Sequence, residues 1–421
     1  MIYAIILFVV TYVLMLIFQK YRPLIAIVSA AIFIVSGMLP VGTAFASVDY
    51  NVLLMIAGTM GTVALTIKSK MPNLLADILV SKVPNVKWAI VVLALFAGII
   101  SAFIDNVATV LMTAPIALAI AKKQKINPVG MIIAIAVSSN LQGAATLVGD
   151  TTAIMLGGYA GMNFTDFFVF NGKPGIFFAV EIGALLAASI LLIIFRKEKD
   201  PIVPGERTVV TDYVPSILML GTVLSLIAAS FIPNTPDMIN GYICVSFMIV
   251  GVIYHVIRNK SIKAAWDVIK EIDIMTILLL FGLFMVVSGI KEMGVIDALA
   301  GLFGKLGGGN VFVIYTLIVW MSVLISAFID NIPYVATMLP VVSQLAVSLG
   351  IDPTLLYFGL LSGATLGGNL TPIGASANIT GIGILRKEGY TVKNGDFMKI
   401  GVPFTLAAII PAYIYFLIFY Y

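Results

Sequence analysis

Two aspartates stand where an apolar sequence should not tolerate a charge. Asp105 and Asp330 are the fifth residues of one hexapeptide, Ser-Ala-Phe-Ile-Asp-Asn, which occurs at 101–106 and again at 326–331, within the apolar regions 88–121 and 311–347. A carboxylate in bilayer hydrocarbon costs roughly 2.5–3.5 kcal/mol on insertion scales, so residues of this kind usually mark an ion path or a proton relay. Beside them stand the side-chain amides of Asn106 and Asn331. The chemistry on offer is that of a site for Na⁺ or H⁺.

A second pair of segments looks broken. Residues 138–152 and 363–378 are crowded with Gly, Ser, Thr and Asn, and the second contains Pro372. Glycine permits unusual dihedrals and proline removes a backbone donor. Inside hydrocarbon, such backbone survives only where it lines a cavity or is buried in protein. Close packing of helices through small residues would use a similar composition, but Pro372 and the matched asparagines exceed what packing needs. Candidate ligands here are Asn140, Thr146, Gly149 and Asp150 in the first break and Asn369, Thr371, Gly374, Ser376 and Asn378 in the second. An expected Na⁺ site draws on Asp105, Asn106, Gly149, Asp330, Asn331 and Gly374.

The elements that must position these groups follow from composition. Of 421 residues, 61% are hydrophobic and 10% charged, whereas soluble domains are about 25% charged. The long apolar runs Ile2–Phe18, Leu24–Leu39, Ile176–Phe195, Tyr213–Ile232 and Val402–Phe419 have the length of membrane-spanning helices. Further spans are expected at 50–67, 128–161, 239–256, 273–290 and 354–385, which makes ten. The first run reads as a retained span and not as a leader, since Lys20 and Arg22 follow it in place of a small-residue cleavage site. With the N-terminus outside, 21 of the 24 Lys and Arg residues fall on the cytoplasmic side and only Lys173, Lys291 and Lys305 outside. This positive-inside bias predicts an integral membrane protein, of a prokaryotic plasma membrane, with both termini extracytoplasmic. The net charge of +4 lies in short loops and implies no nucleic-acid partner. One cysteine, Cys244, and one histidine, His255, exclude a disulfide framework and a thiolate metal cluster.

The two halves repeat. An offset of 225 relates Asp105 to Asp330, Pro115 to Pro340, Thr146 to Thr371, Gly149 to Gly374 and Ile154 to Ile379. Each half carries five spans and one Asp-Asn region, and an odd number inverts the second half relative to the first. Inverted repeats are the architecture of many secondary transporters, with sites at the repeat interface. The expected fold is therefore all-α and polytopic, with five spans and one re-entrant hairpin in each half and two discontinuous helices. The absence of polar loops around Asp105 and Asp330 favours hairpins over pairs of full spans, whose exposed turns are the plainer use of Asp-Asn. The join, 196–212, with Pro201, Pro204 and Gly205, reads as a cytoplasmic linker. With no Lys or Arg expected at the midplane, an anion would be held by helix dipoles and amides. Asp49 and Asp273 read as helix caps and His255 as a solvated interface residue. Glu181 reads either as a coupling residue or as one at the outer interface.

Residues 103–111, 328–333 and 368–378 resemble the signatures of the ion transporter superfamily. The nearest branch is the one that holds arsenite-efflux permeases, D-type sodium/proton antiporters and the P protein; divalent anion:sodium symporters are more distant. The resemblance implies a homodimer and an elevator motion. It implies a scaffold of 1–72 and 213–290 and a transport domain of 88–195 and 310–421, in which 88–121 and 311–347 are the hairpins and 128–161 and 354–385 the broken helices. Amphipathic arms fit 73–87 and 291–309. Where the symporters have Ser-Asn-Thr at the hairpin tips, this chain has Ile-Asp-Asn, which weakens transfer of dicarboxylate specificity. Where the family has Gly-Asp-Pro-Pro-Asn in the first break, it has Gly149-Asp150-Thr151-Thr152-Ala153, which weighs against a symmetric pair of ion sites. The expectation is a Na⁺- or H⁺-coupled carrier of a small anion, oxyanion or organic acid, with no cofactor and with lipid as its surroundings. A sodium/proton antiporter is the nearest alternative and an ion channel the alternative of another class; an enzyme is not expected.

Overall fold

The computed structural model of the protein describes residues 1–202 and 207–421, so Pro204 and Gly205 of the expected linker lie outside the described residues. Ten helices form the first half: α1 (Ile2–Ile17), α2 (Arg22–Val35), α3 (Val41–Ala46), α4 (Tyr50–Lys68), α5 (Met71–Val80), α6 (Val86–Ser101), α7 (Asn106–Gln124), α8 (Val129–Gln142), α9 (Thr151–Ala160) and α10 (Ile176–Ile194). Ten more form the second: α11 (Val214–Ser230), α12 (Ile239–Asn259), α13 (Lys263–Ile269), α14 (Ile274–Glu292), α15 (Val295–Leu306), α16 (Val311–Ser326), α17 (Asn331–Leu349), α18 (Thr354–Gly367), α19 (Ser376–Lys387) and α20 (Asn394–Tyr420). The helices α6, α7 and α8 match α16, α17 and α18 at both ends with the offset of 225.

The signals that start and stop these helices repeat with them. Asn85 and Asn310 cap α6 and α16 by accepting from Trp88 N and Val313 N. Pro128 and Pro353 precede α8 and α18. Lys125 and Gly350 end α7 and α17 in the left-handed conformation. Side-chain oxygens at an N-cap satisfy donors that a helix leaves free, which is why Asx residues recur there. Asp49 and Asp273 do the same for α4 and α14, taking Val52 N and Thr276 N, as the sequence predicts.

The packing exchanges between halves. The helix α4 packs on α12 as α14 packs on α2, α6 on α8 as α16 on α18, and α10 packs on its own repeat mate α20. One half alone would leave α4 and α2 without these partners. The core is continuous from α1 to α20.

Several boundaries differ from the hydropathy reading. The helix α2 stops at Val35, short of the apolar run's end at Leu39, because Gly37 takes φ +73 and Pro40 follows. The helix α20 begins eight residues before its apolar run, at Asn394. The first arm is not one helix: α5 ends at Val80 and α6 begins at Val86, and between them Asn85 pairs with Pro201. By length and composition seven helices among the described residues could cross a membrane, or nine if the bent pairs α1–α2 and α15–α16 each count once. The expected ten instead count α1, α2 and α11 as separate spans, join α8 to α9 and α18 to α19, and leave out α7 and α17, which are among the seven.

Candidate ion and substrate site

Helix α6 turns into α7 at Asp105, and α16 turns into α17 at Asp330. Both aspartates are N-caps: Oδ1 of Asp105 accepts from Val107 N at 3.0 Å and Ala108 N at 3.1 Å, and Oδ1 of Asp330 from Ile332 N at 3.1 Å. Each tip packs against a break. After α8 a 3₁₀ turn, Gly143–Ala145, leads through extended Thr146, a tight turn and extended Asp150 into α9; after α18 the turn Gly368–Leu370 leads through extended Thr371, a turn and extended Ala375 into α19.

The glycines of the two breaks explain themselves. A Cβ at Gly149 would lie 2.6, 2.7 and 2.8 Å from the carbonyl oxygens of Gly143, Ser101 and Ala102; at Gly374 the same clash involves Gly368, Ser326 and Ala327 at 2.6, 2.8 and 2.9 Å. Only glycine lets tip and break approach so closely. Thr146 and Thr371 complete the contact by donating to the Ala102 and Ala327 carbonyls. Carbonyls crowded beside a carboxylate are hard oxygen donors of the kind that hold hard cations.

Between the halves runs a network of amides. Asn140 Nδ2 donates to Thr365 O at 2.7 Å and Asn369 Oδ1 at 3.1 Å, while Asn369 Nδ2 donates to Val137 O at 2.9 Å. Asn106 Nδ2 donates to Asn140 Oδ1 at 3.0 Å. Asn378 Nδ2 bridges Gly368 O and Thr371 O at 3.0 and 3.3 Å, bracing the second break. Ala153 leaves the first break without that brace. There Thr152 Oγ1 donates to Asp150 Oδ2 at 2.9 Å, and Asn331 Nδ2 reaches the same oxygen at 3.4 Å.

A cleft of about 290 Å³ opens onto these groups. Of the sequence-derived candidates it is lined by Asp105, Asn106, Asp150, Asn331 and Ser376. A smaller cavity beside it touches Asp105, Gly149 and Asp150. Asn140, Thr146, Asp330, Asn369, Thr371, Gly374 and Asn378 do not line the cleft; they hold the tips and breaks in place behind it. Glu181, half-buried on α10, lines neither cavity.

Sequence reasoning missed the cleft's other wall. Met60, Val63, Ala64 and Lys68 of α4 face the tips, joined by Glu271, Asp273 and Thr276 at the start of α14. Asp273 thus both caps α14 and faces the cleft. The larger omission is Arg22. Loop counting assigns it to the cytoplasmic surface, but its Nη1 lies 2.7 Å from Asp330 Oδ2, with the two side chains 12% and 9% exposed. The five-residue link between two apolar runs gave its presence, and only the fold brings a residue 308 positions away against it.

Comparison with known proteins agrees with this architecture. The sequence pattern of the CitMHS family, described as citrate transporter, matches residues 12–363. Uncharacterized transporter Rv2684 of Mycobacterium tuberculosis is 30% identical over 425 residues, covering 98% of this chain and 97% of that protein. The human P protein is 24% identical over 402 residues, covering 75% of this chain and 47% of its own length. Among solved structures, the YdaH transporter of Alcanivorax borkumensis is similar with a TM-score of 0.61 and 15% identity, covering 89% of this chain and 85% of that one. The last likeness is one of fold alone.

Proposed function

The chain belongs to the CitMHS citrate transporter family, and from that premise we propose that this integral membrane secondary transporter carries a small organic acid, coupled to Na⁺ or H⁺ taken up by Asp105 and Asp150. The observation that carries this reading is the charge of the cleft. Four carboxylates, from Asp105, Asp150, Glu271 and Asp273, face it against the single ammonium of Lys68. An organic anion entering alone meets like charge, which is strongly unfavourable away from bulk water. Entering with cations or protons, it does not. Coupling is then a requirement of the electrostatics and not an added device. The amides of Asn106 and Asn331 and the hydroxyls of Thr151 and Ser376 supply the polar contacts that orient a carboxylate.

The wall between α4 and α14 supports an elevator as the way the site changes sides. A second cavity, at the other ends of these two helices, is lined by Ser47, Asp49, Tyr159, Ser288 and Lys291. It lies across the scaffold from the cleft, and the positive-inside assignment puts the cleft, with Lys68 and Glu271, on the cytoplasmic side. Both termini then lie outside, in a bacterial plasma membrane. A homodimer completes the proposal; α12 buries little of its length within the protomer.

The acidic cleft equally suits a sodium/proton antiporter that binds no organic molecule, since the same carboxylates would then hold the cation directly. Purified protein in proteoliposomes separates the two. Under imposed Na⁺, pH and voltage gradients, citrate or another organic acid is expected to accumulate, and uptake that ignores every gradient would sink the coupled reading. Cation exchange with no uptake from a panel of carboxylates would establish the antiporter.

A further inference from the structure

The two hairpin tips are built alike, yet one carries a cation from the protein itself. Asp105 presents Oδ1 to the first turn of α7 and faces the cleft without a basic partner in hydrogen-bond reach. Asp330 makes the equivalent capping bond, but its Oδ2 receives Arg22 Nη1 at 2.7 Å and Ser376 Oγ at 3.5 Å. Among the described residues no ion pair is formed at Asp105. The carbonyl cradle at Gly374 copies the one at Gly149. The tip and carbonyl cradle of half 2 therefore repeat those of half 1, with a guanidinium already at the tip carboxylate.

The guanidinium comes from a different part of the fold. Arg22 opens α2, and its Nε is tethered to Met15 O at the end of α1, 3.2 Å away. Tyr12 of α1 makes a second link across the same boundary, donating to Pro333 O at 2.6 Å and pairing with Thr337. The α1–α2 pair thus grips the tip and first turns of α17 through one ionic and one neutral attachment. A buried ion pair is weak evidence for stability, because desolvating both charges offsets much of their attraction; a switching role is the better-attested use.

We propose that Asp330 is a further cation position, beside the one at Asp105 and Asp150, and that Arg22 is a resident cation that competes with Na⁺ or a proton for it. With Arg22 in place, the α17 tip is held to α1–α2. When Na⁺ or a proton neutralises Asp330, Arg22 is released and the tip is free to leave. The handover ties movement of the tip to cation binding. The charged and titratable groups around Asp330 are Arg22 from α2, Asp150 from the first break through Asn331, and the Tyr12 hydroxyl from α1. The inference rests on the coupled-transport reading but is tested separately from it.

The test compares wild type with Arg22→Gln, using Na⁺ at fixed pH and pH without Na⁺ as separate arms. Binding is read as the midpoint of thermal stabilisation in nanodiscs, and transport as uptake into proteoliposomes. Removing the internal competitor is expected to lower half-saturating Na⁺ about tenfold, or to move the pH midpoint up by about one unit if the ion is H⁺. Arg22→Lys, which keeps the charge and loses the fork geometry, is expected to shift less, and it serves if Arg22→Gln does not fold. Adding Asp330→Asn should erase the difference between Arg22 and its variants. Half-saturating Na⁺ unchanged or raised, with a pH midpoint unchanged or lowered, in both Arg22 variants overturns the competition. Wild-type transport independent of Na⁺ and pH would instead overturn the coupled reading, and the binding arm would still decide for or against the competition at Asp330.

Discussion

The two halves of this protein share a backbone plan and divide the work at its tips and breaks. In the first half the tip carboxylate, Asp105, is half-buried and faces the cleft, and the break offers a second carboxylate, Asp150. In the second half the tip carboxylate is neutralised by Arg22, and the break has Ala375 in place of Asp150 and Asn378 in place of Ala153. One tip and break present two carboxylates to the cleft; the other tip is ion-paired and its break braced. A repeat preserves the fold because the fold depends on caps, glycines and packing pairs. It leaves the ligand set free to diverge, because only one continuous site has to be filled.

The sharpest way to break this contrast is to remove the tip carboxylates one at a time. Asp330→Asn leaves Arg22 buried without its counter-charge and is expected to cost roughly 3–5 kcal/mol of stability, read as a lower melting temperature in nanodiscs. Asp105→Asn keeps an equally good N-cap, so its stability should change by less than about 1 kcal/mol. Equal losses in the two variants would remove the distinction between the tips.

At Asp105 the readout is cation affinity. Replacing Asp105 by Asn exchanges a charged ligand worth roughly 1.5–3 kcal/mol for a neutral one, so half-saturating cation should rise about 10–100-fold. Cation titration of uptake measures this, and wild-type affinity in the variant would move the ion elsewhere.

A smaller effect is expected where the halves are joined. Asn369→Ala loses the bonds to Asn140 and Val137 and leaves buried partners unsatisfied, a cost of about 1–3 kcal/mol. Unfolding melts would register it, with cation affinity little changed; a large change in affinity would make Asn369 a ligand. The mildest variant is Lys68→Gln at the exposed mouth of the cleft. Its charge attracts an incoming anion through screened, long-range interaction, so the substrate KM should rise a few-fold at low salt and recover the wild-type value at high salt.

Much of this could be read from the chain. The offset of 225 marks the repeat, and it holds at both ends of α6, α7 and α8 because caps and breakers act locally: Asn85 with Asn310, Pro128 with Pro353, and Asp105 with Asp330 each act within one turn of their own position. The breaks were equally legible, since a run such as Gly367-Gly368-Asn369-Leu370-Thr371-Pro372 cannot continue a helix. The roles of the site residues were less so. Asn140 and Asn369 have the side chains of ligands, but the fold directs them at each other, and an amide that binds an ion is chemically identical to one that pairs two helix breaks.

What the sequence determined by itself is the membrane setting, the helices with their repeated caps, the doubled plan, and the acidic residues that an apolar chain would not carry idly. Each of these depends on near neighbours or on composition. Only the tertiary structure decided that Asp105 faces a cleft while Asp330 faces Arg22, and that Lys68, Glu271 and Asp273 form the opposite wall. Those outcomes depend on which of two chemically identical carboxylates is approached by a residue some 300 positions distant, and the order of residues along a chain does not encode that distance in space.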